Sequence, residues 1–259
     1  MGLTNSGGKK PGGHGNHWGC VTRSMEEVRR ILAWAVNEAA TPETRESNGR
    51  EISAYIPESD RLTACAVTVD RTISTGYPVA VDGVVHEVRL HGVEEWANGI
   101  EGQIVGSLDD AVMRFFDVRY YRNAGAYRTG DTYPFALAAF VYVLYRAEPR
   151  TIADRGGREV VTRNMAAYVP LPEGDIDDFA FYSPVKDVER VRFCGKTFYR
   201  LIVPLCRLRD EDGEYRRDID IALYAAEYVT GGYVPRVGDD IQGVLWMQGA
   251  LSPRRGRDR

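Results

Sequence analysis

Three residues near the start of the chain are of kinds that bind metal, in the order His14-x2-His17-x2-Cys20. Imidazole nitrogen and thiolate sulfur are good zinc donors, and three of them hold a tetrahedral ion once a fourth ligand or a water completes the set. The run lies among glycines and has no second Cys/His pair beside it, so a flexible tail with incidental metal affinity is the competing reading. Cys20 also stands just before a predicted helix, whose N-terminus would lower a thiol pKa and favour a nucleophile. The helix starts too far on for a close contact, and the later histidines read as a strand position (His86) and a turn (His91). These residues frame a metal- or cysteine-dependent enzyme as one expectation.

A second cluster interleaves cations with rings: Arg114-Phe115-Phe116, Arg119-Tyr120-Tyr121-Arg122 and Tyr127-Arg128. In binders of single-stranded nucleic acid, rings stack on bases while arginines neutralise phosphate. Arg114, Arg119, Tyr120, Tyr121, Arg122 and Arg128 are the candidates for that role. Strand alternation puts Arg114, Phe116 and Val118 on one face and Phe115, Asp117 and Arg119 on the other. That mixture is not a clean stacking platform, and a core face with a solvated face explains it as well. Carboxylates pair up at Asp109-Asp110, Asp177-Asp178 and Asp239-Asp240, mostly in predicted turns, where Asp is favoured for backbone reasons. Acid–base work needs carboxyls facing across a cleft, which adjacency in sequence does not supply. There is no glycine-rich nucleotide loop and no nucleophile elbow, so the sequence asks for no cofactor.

The elements that must position these groups are mostly strands. Charged residues are 27% of the 259 and the formal net charge is −4, which gives no global cationic field for coating nucleic acid or a membrane. Four scattered cysteines make no disulfide framework, residues 1–20 lack the apolar core of a secretory signal, and no run approaches a membrane span. A cytoplasmic protein with reduced thiols is the expectation. Residues 1–23 read as a flexible glycine-rich segment. Ser24 and Glu27 then form a capping box, opening a helix whose apolar stripe runs Met25, Val28, Ile31, Leu32, Ala35, Val36 and Ala39. With its linker this segment reaches residue 49. A first β module spans 50–168, a second 169–251, and 252–259 is a basic tail. Asp82-Gly83 reads as a hairpin turn between Tyr77–Val81 and Val84–Leu90, and Phe179–Phe193 as one strand. A turn is expected at Asp210–Gly213.

The segment Tyr120–Leu137 aligns without a gap on Tyr228–Leu245, repeating a tyrosine (120/228), an arginine (128/236), a Gly-Asp pair (130-131/238-239) and a leucine (137/245). An aromatic strand, a glycine-containing connection, a Gly-Asp turn and an apolar strand thus occur twice. The order in Ile219–Tyr224, Ala226–Gly232 and Pro235–Leu245 resembles the OB-fold, a small Greek-key barrel. The resemblance implies a mainly β chain of two OB-like or Greek-key modules with a docked N-terminal helix; a Greek-key β-sandwich is the rival. It carries over no catalytic residues. The leading functional expectation is a non-enzymatic binding or interaction module, with a protein partner or self-association ahead of single-stranded nucleic acid and no membrane contact.

Overall fold

The computed structural model describes His14 and residues 17–153, 156–157, 159–209 and 214–252. The chain is mainly β. Its strands are β1 (Glu43–Ser47), β2 (Arg50–Tyr55), β3 (Leu62–Val69), β4 (Thr72–Ala80), β5 (Val84–Glu95), β6 (Gly102–Leu108), β7 (Ala111–Asp117) and β8 (Thr132–Arg146). They continue as β9 (Thr151–Ala153), β10 (Glu159–Val161), β11 (Ala167–Pro170), β12 (Asp178–Pro184), β13 (Asp187–Phe193), β14 (Lys196–Arg209), β15 (Tyr215–Ala226) and β16 (Asp240–Leu251). The α-helices are α1 (Met25–Glu38) and the single turn α2 (Tyr120–Asn123). The turn at Asp210–Gly213 and residues 253–259 of the basic tail lie outside the described residues.

Five strands close a barrel in the order β5–β6–β7–β16–β8 and back to β5. Four precede residue 168 and the fifth, β16, comes from the far end of the chain, so the barrel crosses the expected boundary between 168 and 169. Further strands extend the sheet from β8 and β16: β8 pairs with β15 in parallel, β15 with β14 and β14 with β13, while β12 pairs with β16. The run 179–193, expected as one strand, is broken between β12 and β13. At the break the Val185 N–H donates to Asp239 O (2.9 Å) and the Lys186 N–H to Ile202 O (2.8 Å), so the chain serves a neighbour on each side as it bends. Gly243 allows the closest approach in the shared pair, because a Cβ there would lie 2.0 Å from the Val143 carbonyl oxygen.

Strands β1–β4 form a separate antiparallel meander. It docks on the barrel through Tyr77, whose hydroxyl donates to Val118 O (2.9 Å), and through Gln248, which bonds Pro78 O (2.8 Å) and the Ala80 N–H (3.1 Å). Helix α1 packs on β3, burying Val28, Ile31 and Ala35, while Met25 at the start of the stripe stays exposed. Half of the capping box forms: Ser24 Oγ accepts from the Glu27 N–H (3.3 Å), but the Glu27 carboxylate turns to Thr22 and to Lys196 Nζ (2.9 Å).

Two local expectations are corrected. Asp82-Gly83 is no hairpin turn: β4 pairs only with β3, and β5 pairs with β6 and β8. Arg61 and Arg200 hold the Asp82 carboxylate, and Gly83 lies where a Cβ would meet Leu137 O at 2.7 Å, so the chain passes from meander to barrel there. The start of the described chain is also packed rather than loose. His14, His17, Trp18, Cys20 and Val21 are all buried, and Trp18 donates its indole N–H to Gly76 O (2.9 Å). Apolar and aromatic side chains among the glycines supply that burial.

Candidate metal centre

His17 lies in a 3-10 turn, His17–Cys20, that seats its ring flat on Trp246 of β16, with centroids 4.1 Å apart and planes 12° apart. Its carboxylate neighbours come from the turn leading into β12. There the Asp178 N–H closes on Asp175 O (3.0 Å) and the Asp175 N–H donates to Asp178 Oδ2 (2.9 Å), which sets both side chains on one side. Gly174 makes the fold-over possible, since a Cβ there would lie 2.7 Å from Asp178 Cβ. One ligand atom each from His17, Asp175 and Asp178 falls within 4.8 Å of the other two. His17 and Asp178 are buried, and the Asp175 side chain is 31% exposed, so solvent reaches the group along that side.

Behind His17 stands a chain of hydrogen bonds. His14 Nδ1 lies 2.8 Å from His17 Nδ1, and His14 Nε2 bonds the Glu101 carboxylate. Glu101 also accepts from Thr75 Oγ1 (3.0 Å) and from the Asn98 side-chain amide. With three donors converging on it, Glu101 acts as the acceptor and His14 Nε2 carries a proton. Two proton arrangements satisfy the rest. In one, His17 Nδ1–H donates to His14 Nδ1 and His17 Nε2 presents a lone pair towards Asp175, whose Oδ2 is 3.7 Å away. In the other, a further proton lies on His14 Nδ1, and His17 Nε2–H faces Asp175 instead. The first is the form a metal-binding histidine takes, with its second N–H fixed by an acceptor.

Asp177 sits beside the group, fully buried, accepting from Gln103 Nε2 (2.8 Å) and Trp246 Nε1 (3.1 Å). Burial, with a contribution from Asp178, pushes its carboxyl up to about 7. Tyr142 donates to Asp178 Oδ1 (3.0 Å).

Of the three N-terminal candidates, His17 faces the carboxylates, His14 stands behind it, and Cys20 does not belong to the ligand group. Burial, and secondarily Asp178, holds the Cys20 thiol well above its usual pKa, the opposite of an activated nucleophile. Asp175, Asp178 and Glu101 were missed as members. Residues 173–178 hold four acidic groups and no basic one, which is the signal that could have marked the turn; Glu101 carries none.

The nucleic-acid candidates are spread differently from a binding face. Tyr120 and Tyr121 are buried, with hydroxyls directed to Glu95 (3.1 Å) and Glu43 (3.5 Å). Arg119 and Arg122 both pair with Glu43, at 3.7 and 3.2 Å. Arg114 is half-buried in β7, and Arg128 caps the carbonyls of Gly125 and Tyr127. These residues do not assemble a row of exposed rings, because the tyrosines fill the joint between barrel and meander.

No protein-family model, curated protein or solved structure matches this chain. No helix among the described residues is long and apolar enough to cross a membrane.

Proposed function

We propose that the protein binds a divalent cation through His17 Nε2, Asp175 and Asp178, on a scaffold made of two OB-like units that exchange their last strands. The observation that carries the cation reading is the convergence of these three ligand atoms, one of them on a ring oriented from behind by His14 and Glu101. An imidazole nitrogen with two carboxylates suits transition-metal dications such as Mn2+ or Zn2+. The arrangement in which His17 Nδ1–H donates to His14 leaves the Nε2 lone pair for the ion.

Support for the scaffold comes from register. The parallel pair Phe116↔Gln248 becomes Tyr224↔Phe140 when 108 is added to the first residue and subtracted from the second. The antiparallel pair Ala139↔Met247 maps onto itself under the same offset. In one unit the Gly130 N–H donates to Leu90 O and the Leu90 N–H to Asp131 O; in the other, Gly238 and Val185 and then Val185 and Asp239 do the same, all at 2.8–2.9 Å. Free Cys20, Cys65, Cys194 and Cys206 fit a reducing, cytoplasmic setting. Single-stranded nucleic acid has less behind it, since Tyr120 and Tyr121 are buried and the exposed Arg119 and Arg122 are already paired with Glu43.

Titrating metal-depleted protein with Mn2+ and Zn2+ by calorimetry tests the proposal. One ion per chain is expected. His17→Ala and Asp178→Asn are expected to lower affinity about 100-fold. Absence of stoichiometric binding by either ion overturns the reading.

A further inference from the structure

β1 is the outer strand of the meander, and its alternation sets Glu43, Arg45 and Ser47, half-buried, on one side, with Thr44 and Glu46 exposed on the other. The half-buried side meets the connection after β7. There Asp117 accepts the Arg119 N–H at the start of α2, and Tyr77 ties the meander to Val118 O one residue earlier. Arg119, Tyr121 and Arg122 thus come up against β1. Between the two elements lies a cavity of about 440 Å³, lined by Glu43, Thr44, Arg45, Tyr121 and Arg122.

The charges at this cavity do not cancel. The Glu43 carboxylate serves Arg119 and Arg122, at 3.7 and 3.2 Å, and lies 3.5 Å from the Tyr121 hydroxyl. Arg45 is left over: it forms no ion pair among the described residues, and its Nε–H is buried without an acceptor. Glu95 accepts from the Tyr120 hydroxyl (3.1 Å) and does not pair with Arg45. Three guanidiniums against one carboxylate leave two positive charges here. A guanidinium drawn half out of water without a counter-charge is costly, and a buried N–H with no acceptor adds to the cost. An oxyanion removes both, because two of its oxygens match the guanidinium fork. The double charge suits a phosphate dianion better than a single carboxylate. The volume is that of a small-molecule site, and no exposed ring is offered for bases to stack on.

We infer that this cavity binds a phosphate dianion, free or as the monoester of a small molecule, between Arg45 of the meander and Arg122 of the connection after β7. Arg45 supplies the unpaired fork, Arg122 approaches from the other wall, and Glu43 holds Arg119 and Arg122 in place. Because its walls belong to meander and barrel, the bound anion braces one against the other. The cavity shares no residue with the cation group at His17, so neither reading depends on the other.

The test is calorimetric titration of the metal-depleted full chain with inorganic phosphate and with phenyl phosphate, at pH about 8, where the dianion predominates. One saturable site per chain is expected for at least one probe, and the tighter of the two separates free from esterified phosphate. Arg45→Gln should lower that affinity by at least about 10-fold. Arg50→Gln, a change to an exposed arginine that pairs with Asp70, should leave it as in wild type. If circular dichroism shows that Arg45→Gln does not fold, Arg122→Gln decides in its place, since that side chain is 60% exposed. No saturable binding of either probe, binding indifferent to the cavity variant, or an equal loss in Arg50→Gln overturns the inference. So does a single-stranded oligonucleotide that binds far more tightly than both probes and is lost with Arg45, which would assign the arginines to nucleic acid.

Discussion

Two corners of the molecule occupy equivalent places under the proposed duplication and surround an aspartate in opposite ways. Asp82 precedes β5 and Asp177 precedes β12; the strands then pair alike, Val84 with Leu137 and Phe179 with Leu245. Each aspartate reaches across to the other unit. Asp82 meets Arg200 at 2.6 Å, and Asp177 meets Gln103 at 2.8 Å. Arg200 pairs with Tyr224 in its ladder and Gln103 with Phe116, so the two partners also correspond. In the Asp82 corner the chain supplies guanidinium groups, from Arg200 and from Arg61 at 3.2 Å. In the Asp177 corner a neutral amide stands where Arg200 would, Asp175 and Asp178 add carboxylates, and imidazoles arrive on the N-terminal segment. The first corner is neutralised from within the barrel. In the second, the proposed cation would supply the balancing charge.

Installing the missing guanidinium is the strongest way to break this comparison. Gln103→Arg would put a fixed positive charge against Asp177, beside the proposed ion. Like charges repel more strongly in a partly buried site than in water, so affinity for Mn2+ or Zn2+ should fall by at least about 10-fold. Calorimetry reads the affinity, and circular dichroism confirms the fold. Unchanged affinity in a folded variant would mean that the two corners are not counterparts in charge balance.

The connections after β7 and β15 give a second contrast. Asp117, buried, gathers Tyr127 Oη (2.5 Å), Asn123 Nδ2 (3.2 Å) and the Arg119 N–H (3.0 Å) around the start of α2. Its counterparts after β15 are Ala225, Gly231 and Pro235, with no carboxylate. Burial outweighs the donors and pushes Asp117 up to about 6. The native state therefore keeps a proton that the unfolded chain releases near pH 4. Stability from this group falls as pH rises from about 4 to about 6 and is level above that, a change of about 3 kcal/mol for a shift of roughly two units. Asp117→Asn, with the Asn123 amide turned to present its oxygen, should flatten that window relative to wild type in urea melts across pH 4–8. A variant with the same slope as wild type would assign the titration elsewhere.

Arg200→Gln makes the converse change and leaves Asp82 with Arg61 alone. Both partners of the lost pair are partly exposed, so the cost should be about 2 kcal/mol, below that of a fully buried pair. Cation affinity should stay as in wild type, because the change lies in the other corner. Denaturant melts and the same titration measure the two quantities.

The local elements were legible because they rest on nearby residues: the Ser24 cap, the apolar stripe of α1, and the recurring Gly-Asp turns. The long-range strand pairings were not. Alternation reports which face of a strand is buried, but not which strand lies beside it, and β8–β15 and β7–β16 join residues more than 80 positions apart. The false hairpin at Asp82-Gly83 has the same cause, since the turn residues were right and the partners were set by tertiary contacts. In the site, the His14–His17 spacing was visible. Asp175 and Asp178 lie some 160 residues further on and read as ordinary turn aspartates until the fold brought them to His17.

The smallest expected effect is the sharpest check of equivalence. Gly130 and Gly238 both adopt left-handed backbone, at φ of 92° and 87°, and an added Cβ would meet nothing within 4 Å at either. The cost of alanine is then conformational alone, about 1 kcal/mol at each site. Because both turns make the same pair of hydrogen bonds, to Leu90 and to Val185, Gly130→Ala and Gly238→Ala should destabilise equally. The double variant should lose the sum, as separate and independent sites do. Unequal losses would show that one Gly-Asp turn bears a load the other does not, and would confine the duplication to strand register.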